Sequence, residues 1–294
     1  MNNIQCFSPK TLYEYHKIFS KLTGKDIIIF AGGTDLMVGK NELPEDAILM
    51  SLSELEELKG IEIKDDTIII GSCTTLNEVL HSSILQDEVP ILVQAIRTMA
   101  SEQVRNRATI GGNIGNASPA GDTITPLVVL GADIEIFSPE SNHSRIISID
   151  ELFCGPCATT LKKGEIITEI IITIPPKKMK YYFRKVGQRN AMTITKASLS
   201  AVAMFSGNII EWIRLAPGSV SPVVKRMSKT EEFLKGKELI PLVIDKANDI
   251  LSQEISPIAD IRSTKAFREL LMKNLLGECL KFIRMKINIE SHKS

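Results

Sequence analysis

Apolar positions along this chain recur with two alternating spacings. In "FSPKTLYEYHKIFSKLTGKDIIIFAGGTDL", Leu12, Tyr15, Ile18, Phe19 and Leu22 fall at intervals of three and four, which places them on one helix face. Ser8 is suited to cap that helix, Pro9 to its first position, and Gly24 to the left-handed residue that ends it. The unbroken run Ile27–Phe30 then reads as a short buried strand leading straight into Gly32–Gly33. "AILMSL" reads as the next strand, so the chain opens with a βαβ-like unit.

Further on, "IEIKDDTIIIGS" reads as two strands turning at Asp65–Asp66, and Thr75 with Glu78 forms a capping box at the start of a helix. Val89–Ala100 reads as an amphipathic helix leading to the basic "RNR", followed by a glycine-rich loop and an apolar helix near Pro126–Leu130. Strands are expected at Ile134–Phe137 and Ile166–Ile174. "IPPKKMK", residues 174–180, places two prolines before three lysines, and Pro176 removes a ladder donor, which marks a domain boundary. Beyond it come strands near Tyr181–Val186, Thr195–Phe205 and Ile209–Ala216, then helices near Thr230–Leu234, Pro241–Leu251 and Ser263–Ile283. Such an antiparallel sheet followed by helices is an α+β unit, and the closing "NIESHKS" reads as a loose tail.

Composition narrows the field. A chain of 294 residues points to two units, and 44% hydrophobic with 24% charged residues is the balance of a folded protein. Thirty-five basic residues face thirty-five acidic ones, so no broad basic footprint for nucleic acid is expected. No apolar run approaches the roughly 20 residues of a membrane span, and "MNNIQCFSPK" has no secretory pattern. A cytoplasmic protein without a membrane span is expected. Five cysteines form no even disulfide framework, and four scattered histidines show no metal-ligand spacing.

The chemistry-bearing stretches are "AGGTDL" and "ATIGGNIGNASPAGD". Consecutive N–H groups unobstructed by side chains form a concavity that holds phosphate oxygens, and Thr34 and Asn113 stand beside the two glycine pairs. Either pair alone reads first as a tight turn; two together favour a dinucleotide pyrophosphate. A P-loop is excluded, because Gly39–Lys40 has Thr34 where the first glycine belongs and Asn41 after the lysine. Neither stretch spells the Rossmann fingerprint. Asp122 is placed to accept bonds from a ribose diol or to cap the helix containing Pro126.

These motifs resemble the flavin-binding subunit of the molybdenum hydroxylases, the family of xanthine dehydrogenase, the carbon monoxide dehydrogenase medium chain and nicotinate dehydrogenase. The resemblance continues through "GEIITEIIITIP", "YYFRKVGQRNAMTITKASLSAVA" and "RSTKAFRELLM", over nearly the whole chain. It implies an α+β protein with a two-subdomain FAD-binding unit of the PCMH (vanillyl-alcohol-oxidase) type at 1–176. Its subdomains would span about 1–55 and 56–176, followed by a smaller α+β domain at 180–286 and a tail at 287–294. Carried over, Ile29, Phe30, Ala31, Gly32, Gly33, Thr34, Asp35 and Leu36 would form the first FAD-contacting strand and turn. Thr109, Ile110, Gly111, Gly112 and Asn113 would form the second phosphate loop, and Asp122 would meet the ribose or adenine side. Ile167 would pack on the cofactor, and Lys185 would approach the isoalloxazine, where a cation stabilises the reduced ring; its alternative is a solvated strand lysine. Met99 stands where relatives place a flavin-contacting aromatic residue.

The implied function is an electron-transfer subunit carrying FAD. The molybdopterin cofactor would sit on a large partner subunit and two [2Fe–2S] clusters on a small one, with NAD⁺ or another final acceptor, in a xanthine dehydrogenase-like complex or, alternatively, a carbon monoxide, nicotinate or other aromatic-heterocycle dehydrogenase. Cys6, Cys73 and Cys279 stand alone and cannot hold a four-cysteine cluster. Cys154-Gly-Pro-Cys157 spells the thioredoxin motif, but after "SIDELF" it lacks the strand-to-helix setting that motif requires. Reduced structural thiols, a redox disulfide and a metal shared with a partner stay open for it. Two further readings are a nucleotide-dependent dehydrogenase acting alone, opposed by the missing Rossmann fingerprint, and a scaffold that has lost its flavin.

Overall fold

Three short strands near the N-terminus pair in parallel: β1 (Gln5–Phe7), then after helix α1 (Leu12–Lys21) strand β2 (Ile27–Phe30), and after α2 (Thr34–Val38) strand β3 (Ile48–Ser51). β3 lies in the middle, in the order β1-β3-β2. The computed structural model describes residues 4–22, 24–38, 43–189 and 193–291, the last six without their side chains; Gly39–Lys40 and the end of the tail lie outside them. Helix α1 starts later than its sequence implies. Residues 5–7 are occupied by pairing with β3, so Ser8 and Pro9 remain in the connection. Thr11 is the N-cap, its hydroxyl accepting from the N–H of Glu14 at 3.1 Å. Gly24 does adopt the left-handed conformation, at φ 83°.

A five-stranded antiparallel sheet carries most of the remaining first half. Its first hairpin is β4 (Ile61–Lys64) and β5 (Thr67–Gly71), turning at Asp65, which takes φ 53°. Six helices follow: α3 (Leu76–His81), α4 (Ser83–Glu88), α5 (Pro90–Arg97), α6 (Glu102–Arg105), α7 (Ile110–Gly115) and α8 (Ile124–Leu130). The capping box at Thr75 and Glu78 is formed. Then come β6 (Asp133–Ser138), β7 (His143–Ser148), α9 (Ile149–Leu152), a small hairpin of β8 (Phe153–Gly155) and β9 (Ala158–Thr159), and β10 (Ile166–Thr173). The sheet order is β4-β5-β10-β6-β7. Ile68, Ile70, Ile134, Ile136, Ile170 and Ile172 alternate along β5, β6 and β10 and are fully buried in the core that also takes in α5 and α8. β7 escaped sequence reading because it is the edge strand, with Ile146 exposed and no buried face.

Two local departures matter for the site. The helix expected over Val89–Ala100 ends at Arg97, with Ala100 at φ 39°, and α6 is a separate turn capped by Ser101. The glycine-rich stretch expected as a loop is α7, capped by Thr109. Glycine is a poor helix former, but buried Ile110 and Ile114, four apart, fix this turn against the core, so packing overrides propensity.

Strands β11 (Lys180–Val186), β12 (Ala197–Ser206) and β13 (Ile209–Gly218) form an antiparallel meander, followed by α10 (Ser228–Leu234), α11 (Pro241–Glu254) and α12 (Lys265–Ser291). Ala201, Ala203 and Leu215 join these helices in a second core, while Phe183, Val202 and Ala216 join the first. This sheet is therefore the layer between the two cores. The tail expected from residue 287 remains helical through Ser291.

Candidate functional site

A cavity of about 910 Å³ is walled by both glycine stretches. From the first come Ile28 to Leu36, spanning β2 and the opening of α2; from the second come Thr109, Gly111, Gly112, Asn113, Gly115 and Asn116. Ile166 and Ile167 of β10, Leu76, Met99, Ala100 and Val104 add an apolar wall. Tyr15 braces the same corner, its buried hydroxyl donating to the Gly164 carbonyl at 2.7 Å just before β10.

The two glycine pairs differ in what they leave open. Among the described residues, no N–H from Gly32 to Leu36 donates to a protein acceptor, and the first backbone bond of α2 is Met37 N–H to the Gly33 carbonyl. Gly33 holds φ 71°, a conformation that disfavours a side chain. In the second stretch the N–H groups are already used. Ile110 donates to Thr74 at 3.0 Å, Gly111 to Ser72 at 2.8 Å, and Gly112 to the Thr109 hydroxyl at 3.0 Å. What remains there is side-chain chemistry. Asn113 accepts from Thr123 at 2.6 Å through Oδ1, and neither its amide nitrogen nor the Thr109 hydroxyl hydrogen has a protein acceptor among the described residues.

One glycine of each pair serves packing. A Cβ on Gly32 would occupy the space of the Arg107 carbonyl, so the first turn rests directly on the segment leading to α7. A Cβ on Gly111 would stand 2.5 Å from Ser72 Cβ and 2.7 Å from its carbonyl oxygen. At Gly112 a Cβ meets only the Thr109 hydroxyl, at 2.9 Å.

Three residues expected at the site are not brought to the cavity wall. Ile110 is fully buried in the first core. Asp122 and Lys185 bind each other, Nζ to Oδ2 at 2.5 Å, with both side chains over nine-tenths buried. The other Asp122 oxygen accepts from Thr195 at 2.6 Å, and Lys185 also lies 3.5 Å from the Thr98 carbonyl. Asp122 is therefore neither open to a diol nor the cap of α8, whose N-cap is Thr123, and Lys185 is not a solvated lysine. Burial pushes the Asp122 carboxyl above its ordinary value, against the pull of Lys185 and Thr195. The pair joins β11 to the segment before α8.

Ser72, Leu161 and Glu165 line the cavity without having been legible in the sequence. Gly71-Ser72 at the end of an apolar strand was the available signal for Ser72. Glu165 had none, because its partner Arg145 comes from the unforeseen β7 and grips both carboxylate oxygens, at 2.5 and 2.8 Å. Burial alone raises the Glu165 carboxyl, but Arg145 and the Lys162 N–H hold it below its ordinary value. Cys154 and Cys157 are exposed on the β8–β9 hairpin, not at a helix start, so the thioredoxin setting is absent. No cluster of three or more metal-ligating side chains occurs among the described residues, nor any helix long and apolar enough to cross a membrane.

Comparison with known proteins agrees with this architecture. Residues 2–176 match the FAD binding domain in molybdopterin dehydrogenase, and residues 181–283 match the CO dehydrogenase flavoprotein C-terminal domain. The chain is 32% identical to the glyceraldehyde dehydrogenase medium chain of Sulfolobus acidocaldarius, over 85% of this chain and 88% of the relative. It is 27% identical to the carbon monoxide dehydrogenase medium chain of Hydrogenophaga pseudoflava, over 93% and 94%. Against the xanthine dehydrogenase FAD-binding subunit of Escherichia coli O157:H7 the identity is 28%, over 84% and 85%. A solved structure of carbon monoxide dehydrogenase from Hydrogenophaga pseudoflava, lacking the Mo-pyranopterin moiety of its cofactor, superposes with a TM-score of 0.88 at 26% identity, covering 94% of this chain and 95% of that one. The chain belongs to the FAD-binding medium subunits of the molybdenum hydroxylases, an oxidoreductase family.

Proposed function

We propose that this chain is the FAD-carrying electron-transfer subunit of a multi-subunit molybdenum hydroxylase. Its electrons would come from [2Fe–2S] clusters on a small partner, supplied by a large molybdopterin-binding subunit, and leave to NAD⁺ or another acceptor. One observation carries the flavin assignment: five consecutive N–H groups, Gly32 to Leu36, stand on the wall of a cavity of about 910 Å³ without a protein acceptor among the described residues. That row suits phosphate oxygens, since free backbone donors favour anions. The size lies towards the top of the roughly 300–1,000 Å³ range of ligand sites. Ile29, Ile167, Met99 and Val104 offer apolar surface for a flat ring, and Thr109 and Asn113 offer side-chain donors on the same cavity wall.

FAD, when bound, supplies the capacity to accept and release electrons singly or in pairs. The chain's own residues bind and orient it: the first turn takes the phosphates, the apolar wall excludes water from the ring, and Thr109 and Asn113 fix its register. The relatives' names span carbon monoxide, glyceraldehyde, xanthine and nicotinate dehydrogenases, at 26–32% identity. A xanthine dehydrogenase-like complex is therefore one substrate reading among several, and the partner subunit decides between them.

Affinity purification of the tagged chain from its own cells tests the proposal. Co-purifying subunits carrying molybdenum and iron, with flavin reduced on adding the complex's substrate, are expected. A chain that binds FAD but recovers no metal-bearing partner would contradict the relay.

A further inference from the structure

We infer that Arg105 is a positioning residue for the cavity, holding the turn Thr98–Ala100 in a conformation the turn does not favour by itself. Met99 and Ala100 both line the cavity, and Ala100 stands at φ 39°. An L-residue is disfavoured there because its Cβ crowds the following carbonyl oxygen. No glycine relieves this turn; a side chain does the holding instead. Arg105 Nη1 donates to the Met99 carbonyl at 2.7 Å and to the Ala100 carbonyl at 2.9 Å. From the other side Lys185 Nζ lies 3.5 Å from the Thr98 carbonyl, so three successive carbonyls face cations. Arg105 Nε is buried with no protein partner among the described residues.

The same contact fixes a second piece of wall. Arg105 belongs to α6, whose Val104 also lines the cavity. A helix of four residues has little stability of its own. Tying it to the preceding turn therefore sets Met99, Ala100 and Val104 as one rigid unit. Arg105 itself is not a wall residue, so its effect on a bound ring runs through these three. Charged donors to backbone carbonyls are among the stronger hydrogen bonds, and one guanidinium nitrogen bridging two carbonyls constrains both.

This inference rests on the cavity being the FAD site, and the test separates the two. Flavin-free wild type, Arg105→Met, Arg105→Lys, Ala100→Gly and the double variant Ala100→Gly/Arg105→Met are titrated with FAD, following flavin fluorescence. Unfolding midpoints are taken without FAD. Arg105→Met should weaken FAD binding by about tenfold or more, the scale of one lost charge-assisted bond. Arg105→Lys should fall between, because an ammonium keeps the charge on a stem one bond shorter. In the Ala100→Gly background, where the left-handed turn costs little, the same Arg105→Met change should cost less than about threefold. Equal losses in both backgrounds, or an Arg105→Met affinity within twofold of wild type, would overturn the inference while leaving the flavin site standing. Wild type that takes up no FAD would instead remove the flavin site. The unfolding midpoints then still test the hold on the turn, which fails if Arg105→Met shifts them equally with Ala100 intact and in the Ala100→Gly background.

Discussion

Gly32–Gly33 and Gly111–Gly112 are spelled alike and do different work. The first pair follows a parallel strand and leaves five N–H groups without a protein acceptor among the described residues, with Gly33 in a left-handed conformation. The second opens a helix whose first N–H groups are consumed by Thr74, Ser72 and Thr109. What the pairs share is packing, since Gly32 lies on the Arg107 carbonyl and Gly111 on Ser72. Paired glycines therefore report close approach of backbone, and whether the thing approached is a ligand or another chain segment is decided by where the N–H groups point. The same holds for the acid and the lysine further along, which bind each other.

The sharpest break of this contrast lies at Lys185. If it forms a buried pair with Asp122, Lys185→Met strands a buried carboxylate and should cost about 3–5 kcal/mol. Chemical denaturation checks this, and a near-neutral variant with a changed flavin potential would return Lys185 to the site. Next come the packing glycines. Gly32→Ala and Gly111→Ala force a Cβ into backbone and should cost about 3 kcal/mol. At Gly112 a Cβ meets the Thr109 hydroxyl and no backbone atom outside its own helix, so Gly112→Val should cost about the 1 kcal/mol of that cap and lose FAD. Equal destabilisation at Gly111 and Gly112 would erase the distinction.

A smaller effect is expected at Thr109→Ala, which removes the cap of α7 for about 1 kcal/mol and weakens FAD binding through the lost hydroxyl. Calorimetry of the flavin-free protein separates the two contributions. The smallest concerns Glu165. Its carboxyl is held below its ordinary value in the fold, so its stabilisation is complete above the unfolded value of about 4.3 and lost as pH falls through the lower folded value. Arg145→Met should flatten that acid limb by less than about 1 kcal/mol, read from unfolding midpoints between pH 6 and pH 3.

Much of the fold was legible because its signals are local. The isoleucine alternation in β5 and β10, the Asp65 turn and the Thr75–Glu78 capping box each depend on neighbours a few residues away. What escaped reading depends on distant partners. Helix α1 starts at Leu12 because Gln5–Phe7 are claimed by β3, and α7 is helical because Ile110 and Ile114 find the core. The wall residues Ile29 to Leu36, Thr109, Gly111 to Asn113 and Ile167 were legible through family resemblance. The pairing of Asp122 with Lys185 was not legible, because 63 residues separate two groups whose charges meet only in the folded chain. Glu165 stayed hidden behind an edge strand without a buried face.

The central claim is that the cavity beside the first glycine turn holds one FAD. The visible absorbance spectrum of the purified chain, followed by identification of whatever is released on denaturation, tests it most directly. The account predicts a flavin spectrum and one FAD per chain. A colourless protein that also fails to take up added FAD would contradict it and leave a scaffold with the family's fold.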